Sequence, residues 1–113
     1  MDKNKDPREL VVQLLKRSGC AVQVAAVIED DWGIHSWGWN HAGSNGYGQH
    51  AEAHAIDRLN KNRSTNSTLY VAARRKRNNR IVTARPCEDC QKLIDFWGFD
   101  RVVYRDGNGV WVG

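Results

Sequence analysis

Two short stretches, "QHAEAHAI" at 49–56 and "RPCEDC" at 85–90, constrain this chain more than any other feature. Each stands at the start of an expected helix and carries metal-competent side chains. Cys87 and Cys90 are spaced i and i+3, just after Pro86, a residue that pre-sets the first turn of a helix. His50 and Glu52 are about 200° apart around a helix axis and cannot share a face. They can converge only on something lying beyond the helix end. If both stretches serve one centre, the fold has to bring two helix N-termini together. One imidazole and two thiolates suit zinc, and both helix dipoles would favour thiolates there. Three protein ligands with one open position is the catalytic arrangement, whereas structural zinc is closed by four. Cys20 or His54 is available as a fourth ligand, and a redox Cys-x-x-Cys pair is a further reading of the same cysteines.

At 113 residues the chain is expected to form a single domain, 1–113, with a core large enough to dispense with disulfides. Its longest apolar stretch, "AVQVAAVIE", is broken by Gln23 and is too short to span a bilayer. The start "MDKNKDP" lacks the apolar run of a signal peptide. No membrane association and a cytoplasmic location are therefore expected. An odd count of three cysteines in a reducing compartment favours metal or redox use over a disulfide framework.

Hydrophobic periodicity and turn residues predict the order α, β-β, α, β, α, β-β. Asp6-Pro7-Arg8-Glu9 caps a first helix with its apolar stripe on Leu10, Val11, Leu14 and Leu15, and Gly19 stops it. Strands are expected at 20–28 and 34–40 around "DDWG", followed by a glycine-rich loop at 41–49. A helix over about 50–61 turns Ile56 and Leu59 inward. A strand at 67–73 leads into an exposed hairpin tip, "RRKRNNR", with its turn at Asn78-Asn79, and "IVTA" returns as a short strand. "CEDCQKLIDFWG" is a helix ended by Gly98, and two last strands flank Asp106-Gly107-Asn108-Gly109.

His-x-Glu followed by Pro-Cys-x-x-Cys is the signature of the zinc-dependent nucleobase deaminases. With "HAE" at 50–52, "PCEDC" at 86–90 and "GWN" at 38–40, the chain resembles a small member of the cytidine deaminase-like superfamily. The resemblance extends over most of the chain and implies a three-layer α/β fold: a mixed sheet of about five strands flanked by helices, with a basic hairpin inserted before the Pro-Cys-x-x-Cys helix. It implies one zinc per chain held by His50, Cys87 and Cys90. Glu52 would be the catalytic proton carrier, and Asn40 would contact sugar or base, against a plainer role as a turn-forming residue. Trp39 and Tyr47 would wall the pocket, with Arg85 beside it. Arg85 departs from many relatives, which carry Glu before Pro-Cys, and the basic hairpin is a second departure.

Net charge is +4, and the nine Lys and Arg between Arg58 and Arg85 are uninterrupted by any acid. With five tryptophans, that distribution favours a polynucleotide track in which Arg74, Arg75, Lys76, Arg77 and Arg80 hold backbone phosphates. The chain also ends right after its last strand, leaving little material for a lid over a small nucleoside. The expected activity is deamination of cytosine to uracil in single-stranded nucleic acid, more readily DNA than RNA. A free cytidine nucleotide is the alternative substrate and adenosine in tRNA a third. An inert, zinc-stabilised binding module is a reading from another class, against which an intact Glu52 speaks.

Overall fold

The computed structural model describes residues 6–41, 50–58 and 66–113. Helix α1 (Pro7–Leu14) runs into a 3-10 turn at Leu15–Arg17, and β1 (Val22–Asp30) and β2 (Gly33–Trp39) follow as a hairpin. Then come α2 (Ala51–Asp57), β3 (Thr68–Arg75), β4 (Ile81–Val82), α3 (Glu88–Trp97), β5 (Arg101–Arg105) and β6 (Trp111–Val112). The Asp6 carboxylate accepts the Arg8 backbone N–H at 2.9 Å with Pro7 in the first turn, so α1 starts where its cap residues demand.

The strands form one mixed sheet in the order β2-β1-β3-β5-β6. β1 is antiparallel to β2 and β3, β3 is parallel to β5, and β5 is antiparallel to β6. β5 covers β3 from Thr68 to Val71, and β4 pairs with the remainder of that edge at Ala73 and Arg74. The sheet therefore has six strands, five main ones and the short returning arm of the basic hairpin, the strand expected at "IVTA" and formed by Ile81–Val82.

β1 reads as a nearly continuous apolar run because both its faces are covered. Ala25 and Val27 pack with Val11, Leu14 and Leu15 beneath α1, while Ala26 and Ile28 pack with Ala51, Ala55, Ile56 and Ile94 of α2 and α3. The result is the expected helix, sheet, helix layering. Ile28 and Leu69 are fully buried, and each contributes about 1.5–3 kcal/mol of burial free energy. Gly38 of β2 lets α2 lie directly on the sheet. A Cβ there would stand 2.5 Å from the Ala55 nitrogen and 2.8 Å from the His54 Cβ.

Several boundaries differ from expectation. β3 runs on to Arg75, because Val22 and Gln23 of β1 pair with Arg75 and Arg74. Those two arginines therefore belong to the strand, and only Lys76 to Arg80 form the tip. Asn79 takes a left-handed φ of 57° in that turn. α1 is ended by the 3-10 turn and an extended Ser18, one residue before Gly19. α2 is described to Asp57 with Arg58 as its C-cap, and residues 59–61, with Leu59, lie outside the described residues. Pro86 precedes the α3 N-cap, Cys87, rather than occupying the first turn. Gly98 ends α3 in the left-handed region, φ 72°, as expected. No helix among the described residues is long and apolar enough to cross a membrane.

Candidate active site

His50 is the N-cap of α2 and Cys87 the N-cap of α3, and neither side chain caps its own helix. They turn instead toward one another. His50 Nδ1 lies 3.0 Å from Cys90 Sγ and 3.6 Å from Cys87 Sγ. All three donor atoms fall within 4.8 Å of one another. A tetrahedral ion with Zn–S near 2.3 Å and Zn–N near 2.0 Å spaces such donors by roughly 3.5 Å. The residues present thus fit zinc in chemistry and in spacing. Cys20 and His54 stand apart from the cluster. Cys20 is a free, half-buried thiol, and the Nδ1 of His54 faces the Trp39 backbone N–H and carbonyl, both at 3.2 Å.

Glu52 occupies the first turn of α2 and is only 5 % exposed. Burial pushes its carboxyl above the usual carboxylate range, opposed by its backbone hydrogen bond, by His50 and by a hydrogen bond to the Cys90 thiol. Burial and then the Glu52 charge push the Cys90 thiol strongly upward. A dication at the three donors would reverse that second effect, since a coordinated thiol loses its proton outright.

A cavity of about 200 Å³ opens over this cluster. His50, Glu52 and Cys87 line it on the metal side, Val24, Ala73 and Ala84 supply an apolar wall, and Asn40 and Arg85 complete it. Asn40 also ties β1 to the end of β2. Its Oδ1 accepts from the Ser18 hydroxyl at 2.6 Å and the Val24 N–H at 2.9 Å, and its Nδ2 donates to the Val22 carbonyl at 2.8 Å. Among the described residues no second acceptor takes the other Nδ2 hydrogen, which is open to a ligand.

Trp39 is not among the residues lining that cavity. Its ring packs edge-on to His54, with centroids 4.9 Å apart, beneath the Arg17 guanidinium at 5.5 Å. Tyr47 lies outside the described residues. A second hollow of about 400 Å³, lined by Ala21, Val22, Arg75, Arg77, Asn78 and Arg80, shares Val22 with the cavity. Lys76 is exposed at the hairpin tip, its N–H bonded to the Ala21 carbonyl at 2.9 Å. Arg74 is separate, its Nε donating to Gln23 Oε1 at 2.8 Å. The packing role of Gly38 was hidden in the sequence, because a glycine between two tryptophans reads as strand punctuation.

A family model described as the cytidine and deoxycytidylate deaminase zinc-binding region matches residues 1–106. The fold is similar to that of a dCMP deaminase from the cyanophage S-TIM5 in apo form, with TM-score 0.66 and 23% identity over 88% of this chain and 79% of that one. The cytidine deaminase of Mycobacterium leprae gives TM-score 0.66 and 18% identity, covering 90% of this chain and 86% of its own. That of Burkholderia pseudomallei gives TM-score 0.66 and 13% identity, covering 95% and 89%. No curated protein sequence matches.

Proposed function

Because the chain belongs to the family of the cytidine and deoxycytidylate deaminase zinc-binding region, and is accordingly a zinc-dependent hydrolytic deaminase, we propose that it converts cytosine to uracil in single-stranded nucleic acid with Glu52 as its proton carrier. The observation that carries the chemistry is a 5 % exposed carboxylate beside a His-Cys-Cys cluster at a small cavity.

His50, Cys87 and Cys90 would hold a zinc ion, whose Lewis acidity would bring the pKa of a water to about 7. Glu52 accepts a proton from that water and delivers it to the ring nitrogen next to the attacked carbon. It then carries a proton to the departing ammonia, so water enters and ammonia leaves. A carboxyl that burial raises above the usual carboxylate range is better able to hand on the proton it has accepted. Val24, Ala73 and Ala84 offer the ring an apolar wall. The remaining Nδ2 hydrogen of Asn40 orients an acceptor on sugar or base. At about 200 Å³ the cavity is below the roughly 300 Å³ at which drug-sized sites begin, which matches one small ring.

The polynucleotide reading is supported by the hollow that joins the cavity at Val22, where Arg75, Arg77 and Arg80 offer cations to phosphates flanking the target base. Arg85, at the cavity itself, adds another. A free deoxynucleotide is the second reading, favoured by similarity, at 22% identity and TM-score 0.66, to the cyanophage enzyme in complex with dCMP and dUMP. The test is to incubate the zinc-loaded protein with a cytosine-containing single-stranded DNA and, separately, with dCMP, and to measure uracil in each. The proposal expects faster turnover of the oligonucleotide. Turnover of dCMP alone would overturn the polynucleotide assignment and leave the chemistry standing.

A further inference from the structure

Arg105, the last residue of β5, is 9 % exposed, which is unusual for a guanidinium with no carboxylate beside it. Of its five N–H donors, one reaches the Ala73 carbonyl through Nη2 at a long 3.4 Å, and the buried Nε has no partner among the described residues. Arg74 of β3 lies on the same side of the sheet. Side chains alternate along a strand, and Ala72 and Val103, each two residues earlier, both face the core beneath α1. Burial and then the positive charge of Arg74 lower the Arg105 pKa, so the two cations oppose each other. Gln23 fixes Arg74 through Oε1, and is itself held by Nε2 donating to the Ser18 carbonyl at 2.7 Å. Among the described residues no Asp or Glu forms an ion pair with either arginine.

A buried guanidinium facing a second, half-buried one without a counter-ion is costly unless something neutralises the pair. We propose that Arg74 and Arg105 form a binding site for a phosphate-type oxyanion on the face of the sheet opposite the catalytic cavity. A planar guanidinium fork matches the oxygens of such a group. The site adjoins the catalytic cavity through the backbone, since the Ala73 carbonyl accepts Arg105 Nη2, and the Arg105 carbonyl accepts the Ala84 N–H at 2.9 Å. Ala73 and Ala84 both line that cavity. A small nucleotide and a nucleic-acid backbone present the same phosphate chemistry to this pair. The inference stands apart from the substrate reading, because neither arginine lines the cavity or the basic hollow beside it.

The test follows the thermal unfolding midpoint of the zinc-loaded full chain as inorganic phosphate is added at constant ionic strength with chloride. A saturable rise is expected, as for any ligand that binds only the folded state. Arg74→Gln and Arg105→Met should each abolish the rise. The triple variant with Arg75, Lys76 and Arg77 changed to Ser should keep it, which separates this site from the hairpin. Arg105→Met should also unfold at a higher temperature than the unmodified protein in phosphate-free buffer, because an unpaired buried charge has been removed. If Arg105→Met does not fold, Arg74→Gln decides. Parallel titrations with dCMP and with an abasic single-stranded oligonucleotide identify the source: saturation at lower concentration by one or the other assigns a free nucleotide or a polymer backbone. No rise above the chloride control, or a full rise retained in Arg74→Gln, overturns the proposal.

Discussion

His50 Nδ1 lies 3.0 Å from Cys90 Sγ although the two residues are 40 apart in the chain. Their approach joins α2 to α3 at the N-termini of both helices, and each helix reaches that point because it packs on the same face of the sheet. The metal centre is therefore also a tie between two elements that share a face of one core.

Replacing any one of His50, Cys87 or Cys90 by Ala should take the protein from about one zinc per chain to nearly none, because a three-ligand site does not survive on two. Cys20→Ala should leave the metal in place, since Cys20 lies outside the cluster. Elemental analysis of the purified variants checks both. Full zinc in Cys87→Ala would contradict the ligand assignment.

Gly38→Ala should destabilise the protein by about 1–3 kcal/mol, the usual range for overpacking a tight contact. The added methyl would meet the Ala55 nitrogen at 2.5 Å and the Ala51 carbonyl oxygen at 3.0 Å. Since α2 carries His50 and Glu52, zinc retention and turnover should fall with it. Denaturant unfolding measures the first effect, and an unchanged midpoint would mean that α2 has another resting position.

The sequence made the chemistry legible and the packing less so. His-x-Glu and Pro-Cys-x-x-Cys pointed to one centre because side chains at two helix starts have few other ways to share a target. Gly98 and the Asp106–Gly109 turn were readable because each relies on local backbone chemistry; the Asp106 carboxylate accepts the N–H groups of Asn108 and Val110. The extent of β3 was not readable, because pairing with Val22 and Gln23 overrides the turn-like look of Arg74 and Arg75. Arg105 in "RVVYR" reads as a surface cation, and its burial depends on the β3 and β6 neighbours that only the fold supplies.

Burial holds the His54 pKa below its usual value, with contributions in the same direction from His41 and Arg58. Below about pH 6.5 the unfolded chain therefore takes up a proton that the folded protein refuses. The stabilising contribution is complete above that pH and is lost as pH falls toward the folded value. His54→Asn should accordingly lose less stability than the unmodified protein between about pH 7.5 and about pH 5.5. Urea midpoints at the two pH values check this, and parallel losses would remove His54 from the account.

Changing Arg75, Lys76 and Arg77 together to Ser should flatten the salt dependence of oligonucleotide binding. Each phosphate contact contributes about 0.7 to the log-log slope for a single strand, so three contacts are worth about two units. Turnover of dCMP should change little. Affinities at two salt concentrations decide it, and an unchanged slope would return the hairpin to a solvated charge run.

The most direct test of the catalytic assignment is uracil formation in a cytosine-containing single-stranded oligonucleotide by the unmodified protein and by Glu52→Ala, both shown to hold equal zinc. Glu52 is buried at the cavity, yet lies outside the His50, Cys87 and Cys90 donor set. Its removal should therefore spare the metal and reduce turnover by at least about 10²–10⁴-fold, the usual worth of a positioned proton carrier. Comparable uracil yields from the two proteins at equal zinc would contradict the mechanism.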